Sequence, residues 1–387
     1  MSRTSSSRHP LRLAALGGAA LAAVLALTSC GAGGAGSGDA SDELKVVATT
    51  TQLTDFAAQV GGDDIQLTGL LAPGGSAHHF DPSPADLLAL GEADVLIVNG
   101  VGLETFVDSA IEASGFDGEI ITAANGLDPE MLREVTAEGG GAEEHDHAHE
   151  GEAADHADAE HAHDEHAHEA EAEAHDEHAE EEHDHDHGDV NPHIWTSPSN
   201  AEGMVSMIAG DLARIDPDHA DDYTERADAY VAQLQDLDAW VAAQFENVPA
   251  EQRVLVSGHD SLRYYLHDYG IAFAGSILPS FEDNAEPSAA EMDALVASIK
   301  ERGVKAVFVE SSMSPKLAQT IAKEAGVEVV DAEALYADSL GAPDAAEGAV
   351  DDGISPDTYI GATVHNTRVI LEAWGVEPEP LPASLQE

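Results

Sequence analysis

The sequence predicts an α/β fold of two similar lobes, each a parallel-type sheet flanked by helices, joined by one long helix. Three observations carry that reading. Short β-type runs alternate with helical segments, the pattern of βαβ units. The alternation breaks at a run of His, Glu, Asp and Ala from Glu143 to Asp189 and restarts beyond it. Between the two alternating halves lies His219–Glu246, a helical stretch with neither Gly nor Pro inside it and nothing that invites a kink.

Taken in order, Leu44–Ala48 is a β-type run, and an amphipathic helical pattern follows through Val60. Ile65–Leu71 reads as a strand ending at the turn Ala72-Pro73-Gly74-Gly75. Ala85–Leu90 begins a helix, Asp94–Val98 is a buried-type strand, Leu103–Ala113 is helical and Glu119–Thr122 is a short strand. Past the acidic run, Ser197-Pro198-Ser199 is a start signal for a helix over Asn200–Arg214. The second half offers strands at Arg253–Ser257, Ile271–Ile277, Lys305–Glu310 and Glu328–Asp331. Its helices are Ser261–Tyr269, Ser288–Arg302, Pro315–Ala325 and Asp357–Trp374.

The chain has 387 residues, enough for one large core or two smaller ones. Residues 1–29 read as a signal peptide: Arg3, Arg8 and Arg12 precede the apolar stretch Ala14–Leu27. Leu27-Thr28-Ser29-Cys30 resembles a lipobox, which makes Cys30 the expected lipidation site and the means of membrane attachment. The expected location is extracytoplasmic, on the outer face of the cytoplasmic membrane or in a periplasm. Residues 30–43 are Gly/Ala/Ser-rich and suit a flexible tether. The N-terminal lobe is expected over 44–215, with 143–189 as a disordered loop inside it. The linker helix falls in 216–248 and the C-terminal lobe in 249–387. Cys30 is the only cysteine, so there are no disulfides and no thiolate ligands for a metal. The formal charge of −60 excludes nucleic acid as a partner. Removing the 21 carboxylates of residues 143–189 still leaves −39, so the folded part is itself a field for cations.

Outside the leader and the run there are seven histidines: His78, His79, His193, His219, His259, His267 and His365. Three of them sit where a strand or turn gives way to a helix. His78 follows the second strand, and His259 follows the strand that starts the second half. His193 lies between Pro192, which pushes Asn191 toward an extended conformation, and Trp195. In parallel sheets ligands gather at the carboxyl ends of strands, so imidazoles from both lobes can converge in a cleft. Asp338, in Tyr336-Ala337-Asp338-Ser339-Leu340, occupies an equivalent loop. Neighbours in an extended segment face opposite ways, so only one of His78 and His79 is expected to point inward. His219, His267 and His365 read as structural.

These segments resemble the solute-binding proteins of ABC importers for zinc and manganese, the ZnuA/TroA-like family, over Leu44 to Trp374. His78 with Pro82 and Pro84 resembles the first-ligand loop of that family. Asn191-Pro192-His193-Ile194-Trp195 resembles its second-ligand motif, with Asn in place of Asp. Ser257-Gly258-His259-Asp260 resembles the third-ligand loop and Asp338-Ser339-Leu340 the fourth-ligand position. Ala285-Glu286-Pro287-Ser288 and Val307-Phe308-Val309-Glu310-Ser311 look like further family signatures that are not ligands. The resemblance implies a metal site in the interlobe cleft, a rigid linker helix, no enzymatic activity and an ABC permease as partner, with the receptor itself a monomer.

His78, His193, His259 and Asp338 would form a shell of three nitrogens and one oxygen, which favours Zn²⁺. Manganese prefers more oxygen, and a bidentate Asp338 keeps Mn²⁺ open. A secreted zinc hydrolase is the rival class, although no general base adjoins the ligands in the manner of His-Glu-x-x-His. A passive surface zinc store would need no two-lobed fold. Residues 143–189 carry 13 histidines and no Lys or Arg, so they self-repel and cannot collapse. Their role is expected to be weak accessory capture of zinc by His145, His147, His149, His161, His163, His166, His168, His183, His185 and His187.

Overall fold

In the computed structural model, residues 43–139, 190–278, 286–343 and 354–386 are described. Cys30 and the ten accessory histidines lie outside them. The first half is built on strands β1 (Leu44–Ala48), β2 (Ile65–Gly69), β3 (Val95–Val98) and β4 (Glu119–Thr122). They form one parallel sheet in the order β2-β1-β3-β4. The second half contributes β5 (Val254–Ser257), β6 (Ala272–Ser276), β7 (Ala306–Glu310) and β8 (Glu328–Leu335). These pair in parallel as β5–β6 and β7–β8, with β5 beside β7.

The helices are α1 (Thr51–Gly61), α2 (Pro84–Gly91), α3 (Val107–Ser114), α4 (Pro129–Gly139), α5 (Pro198–Ile215) and α6 (Ala220–Glu246), then α7 (Arg263–Asp268), α8 (Ala289–Arg302), α9 (Lys316–Ala325) and α10 (Tyr359–Ala373). Five of these helices start on side-chain caps that take up orphan amides. Thr50, Ser83, Ser197, Ser288 and Thr358 each accept a backbone N–H of the helix they open. Ser83 and Ser288 complete capping boxes with Asp86 and Glu291.

Parallel sheets need cover on both faces, and alternate residues supply it here. In β1, Val46 and Ala48 enter the principal core, while Val47 packs with Leu96, Phe106 and Phe116 on the other side. In β7, Phe308 joins the principal core and Val307 joins Ile299 and Ile321 on the opposite face. The principal core does not stop at a lobe boundary. It runs from Phe56 and Trp195 through Tyr230, Leu237 and Phe245 of α6 to Tyr265 and Trp374.

Helix α6 has 27 residues and is about 40 Å long. At its first half Arg226 donates to the carbonyls of Val60 and Gly61, and Tyr230 donates to Asp55. Towards its end Asp238 accepts from Tyr269, and Trp240 donates to the carbonyl of Pro380. Phe245 meets the rings of Tyr265, Tyr269 and Trp374. The helix is thus fastened to both lobes.

Most element boundaries shift by a few residues from their expected places, and three differences are larger. Helix α4 was not expected at all. It buries Leu132 and Val135 under a mostly polar sequence. Helix α3 begins at Val107 rather than Leu103, because residues 100–102 turn with positive φ. Strand β8 continues to Leu335 rather than ending at Asp331, with a register shift against β7 that sets Leu335 opposite Glu310.

Candidate metal centre

Each candidate ligand is placed by a short irregular segment at a strand or helix end. His78 lies in a 3-10 turn, Ala77–His79, opened by Ser76, whose Oγ accepts the His78 N–H at 3.3 Å. His193 precedes a 3-10 turn, Ile194–Thr196, that leads into α5. His259 follows β5, and Asp338 follows β8. His78, His259 and Asp338 lie beyond the carboxyl ends of parallel strands, and His193 lies just ahead of α5, so each half of the chain supplies two of the four.

The four side chains meet. One donor atom from each of His78, His193, His259 and Asp338 lies within 4.8 Å of all the others. His193 Nε2 is 3.0 Å from His78 Nε2 and 3.1 Å from His259 Nε2. Asp338 Oδ1 is 3.4 Å from His193 Nε2 and 3.2 Å from His259 Nε2. His193 and His259 are fully buried, Asp338 nearly so, and His78 is half-buried at the rim. His79 is exposed and outside the cluster. Also outside it are His219, half-buried and paired with Asp216, and His267, exposed and paired with Glu138. The His365 ring lies tilted against that of Tyr336, with centroids 4.9 Å apart.

The partners of the far ring nitrogens fix the tautomers. His193 Nδ1 lies 2.8 Å from Asn191 Oδ1, an atom that only accepts, so the proton sits on Nδ1 and Nε2 keeps a lone pair. The Asn191 orientation is itself determined, since its Nδ2 donates to the Asp260 carbonyl at 2.6 Å. His259 Nδ1 lies 2.7 Å from Glu310 Oε2, off the ideal hydrogen-bond line but in a close charge contact. Glu310 Oε1 accepts the backbone N–H of His259. Two bare Nε2 lone pairs therefore face each other at 3.1 Å, an arrangement that only a shared cation or a proton relieves. Asp338 Oδ1 faces the two imidazoles, while its second oxygen accepts a hydrogen bond from Ser312 Oγ at 3.1 Å.

Electrostatics follow from these contacts. Burial alone lowers the basicity of His259, but the carboxylates of Glu310 and Asp338 outweigh it and raise its pKa well above the ordinary imidazole value. Burial works to raise Asp338, yet the facing His259 and His193 hold it well below the usual carboxylate range. Two buried carboxylates, Asp338 and Glu310, match the charge of one divalent cation, so the loaded site would bury no net charge.

The loops are braced from parts of the chain whose role was not legible in advance. The unexpected helix α4 supplies Thr136, whose Oγ1 accepts the Asn191 N–H at 2.9 Å. Tyr264 donates to the Asn191 carbonyl at 2.8 Å. The Ala337 carbonyl, one residue before Asp338, accepts from Gln52 Nε2 and Trp195 Nε1, both at 2.9 Å. Leu340 N–H donates to Thr51 Oγ1, and Gly74 N–H donates to Ser339 Oγ, each at 2.8 Å. Glu310 had been noted as a signature without a role, and its reach to His259 gives it one.

The profile of the family described as Zinc-uptake complex component A, periplasmic, matches residues 46–373. The manganese-binding lipoprotein MntA of Bacillus subtilis is 28% identical over 358 residues, 92% of this chain and 97% of that protein. The zinc-binding protein TroA of Treponema pallidum is 26% identical over 343 residues, 87% of this chain and 92% of that protein. The solved structure of the periplasmic zinc-binding protein TroA from Treponema pallidum superposes with a TM-score of 0.64 at 23% identity, covering 86% of this chain and 99% of that one. Among the described residues no helix is long and apolar enough to cross a membrane.

Proposed function

Because the chain belongs to the zinc-uptake component A family, we propose that it is an extracytoplasmic receptor that captures Zn²⁺ and delivers it to an ABC importer permease. The observation that carries this reading is the convergence of three imidazoles and one carboxylate oxygen on a single buried point. Around zinc at 2.0–2.1 Å, tetrahedral donors sit about 3.3 Å apart. The separations of His193 from its three partners and of His259 from Asp338 run from 3.0 to 3.4 Å, and the other two pairs, both of His78, lie within 4.8 Å. Three imidazoles against one carboxylate tilt the set toward zinc, while Asp338 Oδ2, which accepts one hydrogen bond from Ser312, keeps a lone pair that a bidentate mode for Mn²⁺ would use. Binding without chemistry suits the site, since a catalytic zinc keeps an open position for water and a base beside it.

His78, His193, His259 and Asp338 are the ligands in this reading, and Cys30 carries the lipid that holds a monomeric receptor at the membrane. The lobes divide as 44–215 and 249–387, with α6 as the rigid link. Residues 143–189 serve as a weak collector through their 13 closely spaced histidines. Manganese is the second reading, kept because a relative of nearly full coverage is named as manganese-binding.

Metal analysis of protein purified without chelators or an affinity tag, followed by competition at equal free metal, tests the assignment. Zinc in excess is expected, and manganese in excess would overturn it. Deleting 143–187 should leave one tight zinc and remove several weak ones. Loss of the tight site in that deletion would redraw the ligand shell.

A further inference from the structure

Glu104 is partly exposed along its chain, yet its carboxylate turns inward among donors of the first lobe. Thr49 Oγ1 donates to Oε1 at 2.6 Å, and so does the Asn99 N–H at 2.6 Å. The Gly100 N–H reaches Oε2 at 3.2 Å. These amides belong to a turn in which Gly100, Val101 and Gly102 all have positive φ, at 85°, 47° and 80°. A β-branched residue in that region is strained and stays there only when its surroundings hold it. The Glu104 carboxylate closes the turn together with the Leu103 N–H, which donates to the Gly100 carbonyl at 3.2 Å.

The turn in turn fixes Asn99. Its N–H goes to Glu104 and its carbonyl accepts from the Ala124 N–H at 3.0 Å. Its side-chain Nδ2 donates to the Gly100 carbonyl at 3.1 Å and to the Pro192 carbonyl at 2.9 Å. Its Oδ1 is buried without a hydrogen-bond partner, an uncompensated polar atom of the kind that calls for an explanation. The Pro192 carbonyl belongs to the peptide plane that enters His193. That plane is pinned on both edges: its C=O by Asn99 and the Ile194 N–H, its N–H by Asn191 Oδ1.

We propose that Glu104 is a positioning residue for the metal site, acting through Asn99 and the Pro192 carbonyl to set the His193 ring. The proposal rests on the receptor reading above, in which His193 is a ligand. Removing the carboxylate strips acceptors from two amides and the Thr49 hydroxyl and lets the strained turn relax. Asn99 then loses its fixed aim, and the His193 plane loses one of its pins.

The test uses the full chain with Glu104→Gln, Glu104→Ala, Asn99→Ala and the double alanine variant. Zinc affinity is measured by chelator competition, and coordination geometry by the visible spectrum of bound Co²⁺. Both alanine variants should bind zinc about tenfold more weakly, the lower end of effects seen for residues behind a ligand. Both should also perturb the Co²⁺ spectrum. The double variant should be no worse than the worse single one, because both changes cut the same connection. Glu104→Gln should fall between parent and Glu104→Ala, since its amide oxygen still serves Thr49 and Asn99 while its NH₂ opposes the Gly100 N–H. Lower thermal stability with parental affinity and spectrum would reduce Glu104 to a structural cap. Fully additive losses would show that Glu104 acts independently of Asn99, and either result overturns the proposal. Should Glu104→Ala not fold, a parental result from Asn99→Ala overturns it equally. A parent that binds neither metal would sink the receptor reading, whereas a binding parent matched by its variants would sink this inference alone.

Discussion

His193 and His259 are equally buried and their Nε2 atoms stand 3.1 Å apart, yet they are held differently. His193 rests on an amide oxygen, Asn191 Oδ1, whereas His259 rests on a carboxylate, Glu310. Burial is the same, so the partners decide the difference. A neutral acceptor fixes orientation and tautomer without adding charge. A carboxylate does both and also makes the ring hold a proton more tightly, as the raised His259 pKa records. One side of the cleft is a geometric support, and the other is also a charge reserve for the arriving cation.

The comparison predicts the largest effects where the rings themselves are removed. Structural zinc sites bind with roughly 10–16 kcal/mol, so one ligand in four is worth about 3 kcal/mol, at least a hundredfold. His193→Ala and His259→Ala should each weaken zinc binding by that much in competition titrations. Retention of parental affinity by either would remove that ring from the tight site.

Next come the supports. Glu310→Gln and Asn191→Ala should each cost about 10–100-fold in zinc affinity. Only Glu310→Gln should change how affinity depends on pH, because only it alters the proton affinity of His259. An equal change of pH profile in Asn191→Ala would erase the distinction between the two sides.

A smaller effect should appear in the metal-free protein. The folded-state pKa of His259 is raised, so its contribution to stability is fully present below the unfolded value near 6.5. That contribution is lost as pH rises through the folded value. Asp338 is lowered, so its contribution is present above about 3.8 and lost as pH falls through its folded value. The pair therefore stabilises the empty protein most between those limits. Zinc, which competes with the His259 proton, should raise the melting temperature more at pH 8 than at pH 5.5. Calorimetry showing an equal rise at both would contradict the proton competition. Smallest of all, His79→Ala should leave zinc affinity within about twofold, since the exposed ring lies outside the cluster; a loss comparable to that of His78→Ala would exchange the two assignments.

Much of this was legible because strands and helix starts are local. The alternation of Val46, Val47 and Ala48 between two cores and the caps at Ser83, Ser197 and Ser288 are written in adjacent residues. The four clustered side chains were named from their loops and from a resemblance. What could not be read was contact over long separations in sequence. Glu310 touches His259 from 51 positions away, and Thr136 holds Asn191 from 55. Helix α4 escaped notice because its start, Asp128-Pro129, opens a sequence with few apolar residues that runs into Gly139 and the acidic run. Glu104 was read as helical because Leu103–Ala113 has the right periodicity. Its carboxylate instead folds back onto Asn99 and Gly100, and the helix begins three residues later.

The clamp on the Asp338 loop has a consequence for timing. Ala337, Ser339 and Leu340 are tied to Gln52, Trp195, Gly74 and Thr51 by four hydrogen bonds that do not involve the ligand atoms. The escape of a bound ion by this route requires those bonds to open together, and concerted opening is a rare, slow event compared with diffusion. Along this route, residence time would depend on how often the loop opens as well as on the metal bonds. A partner that pulls on this loop would shorten the wait without touching the metal.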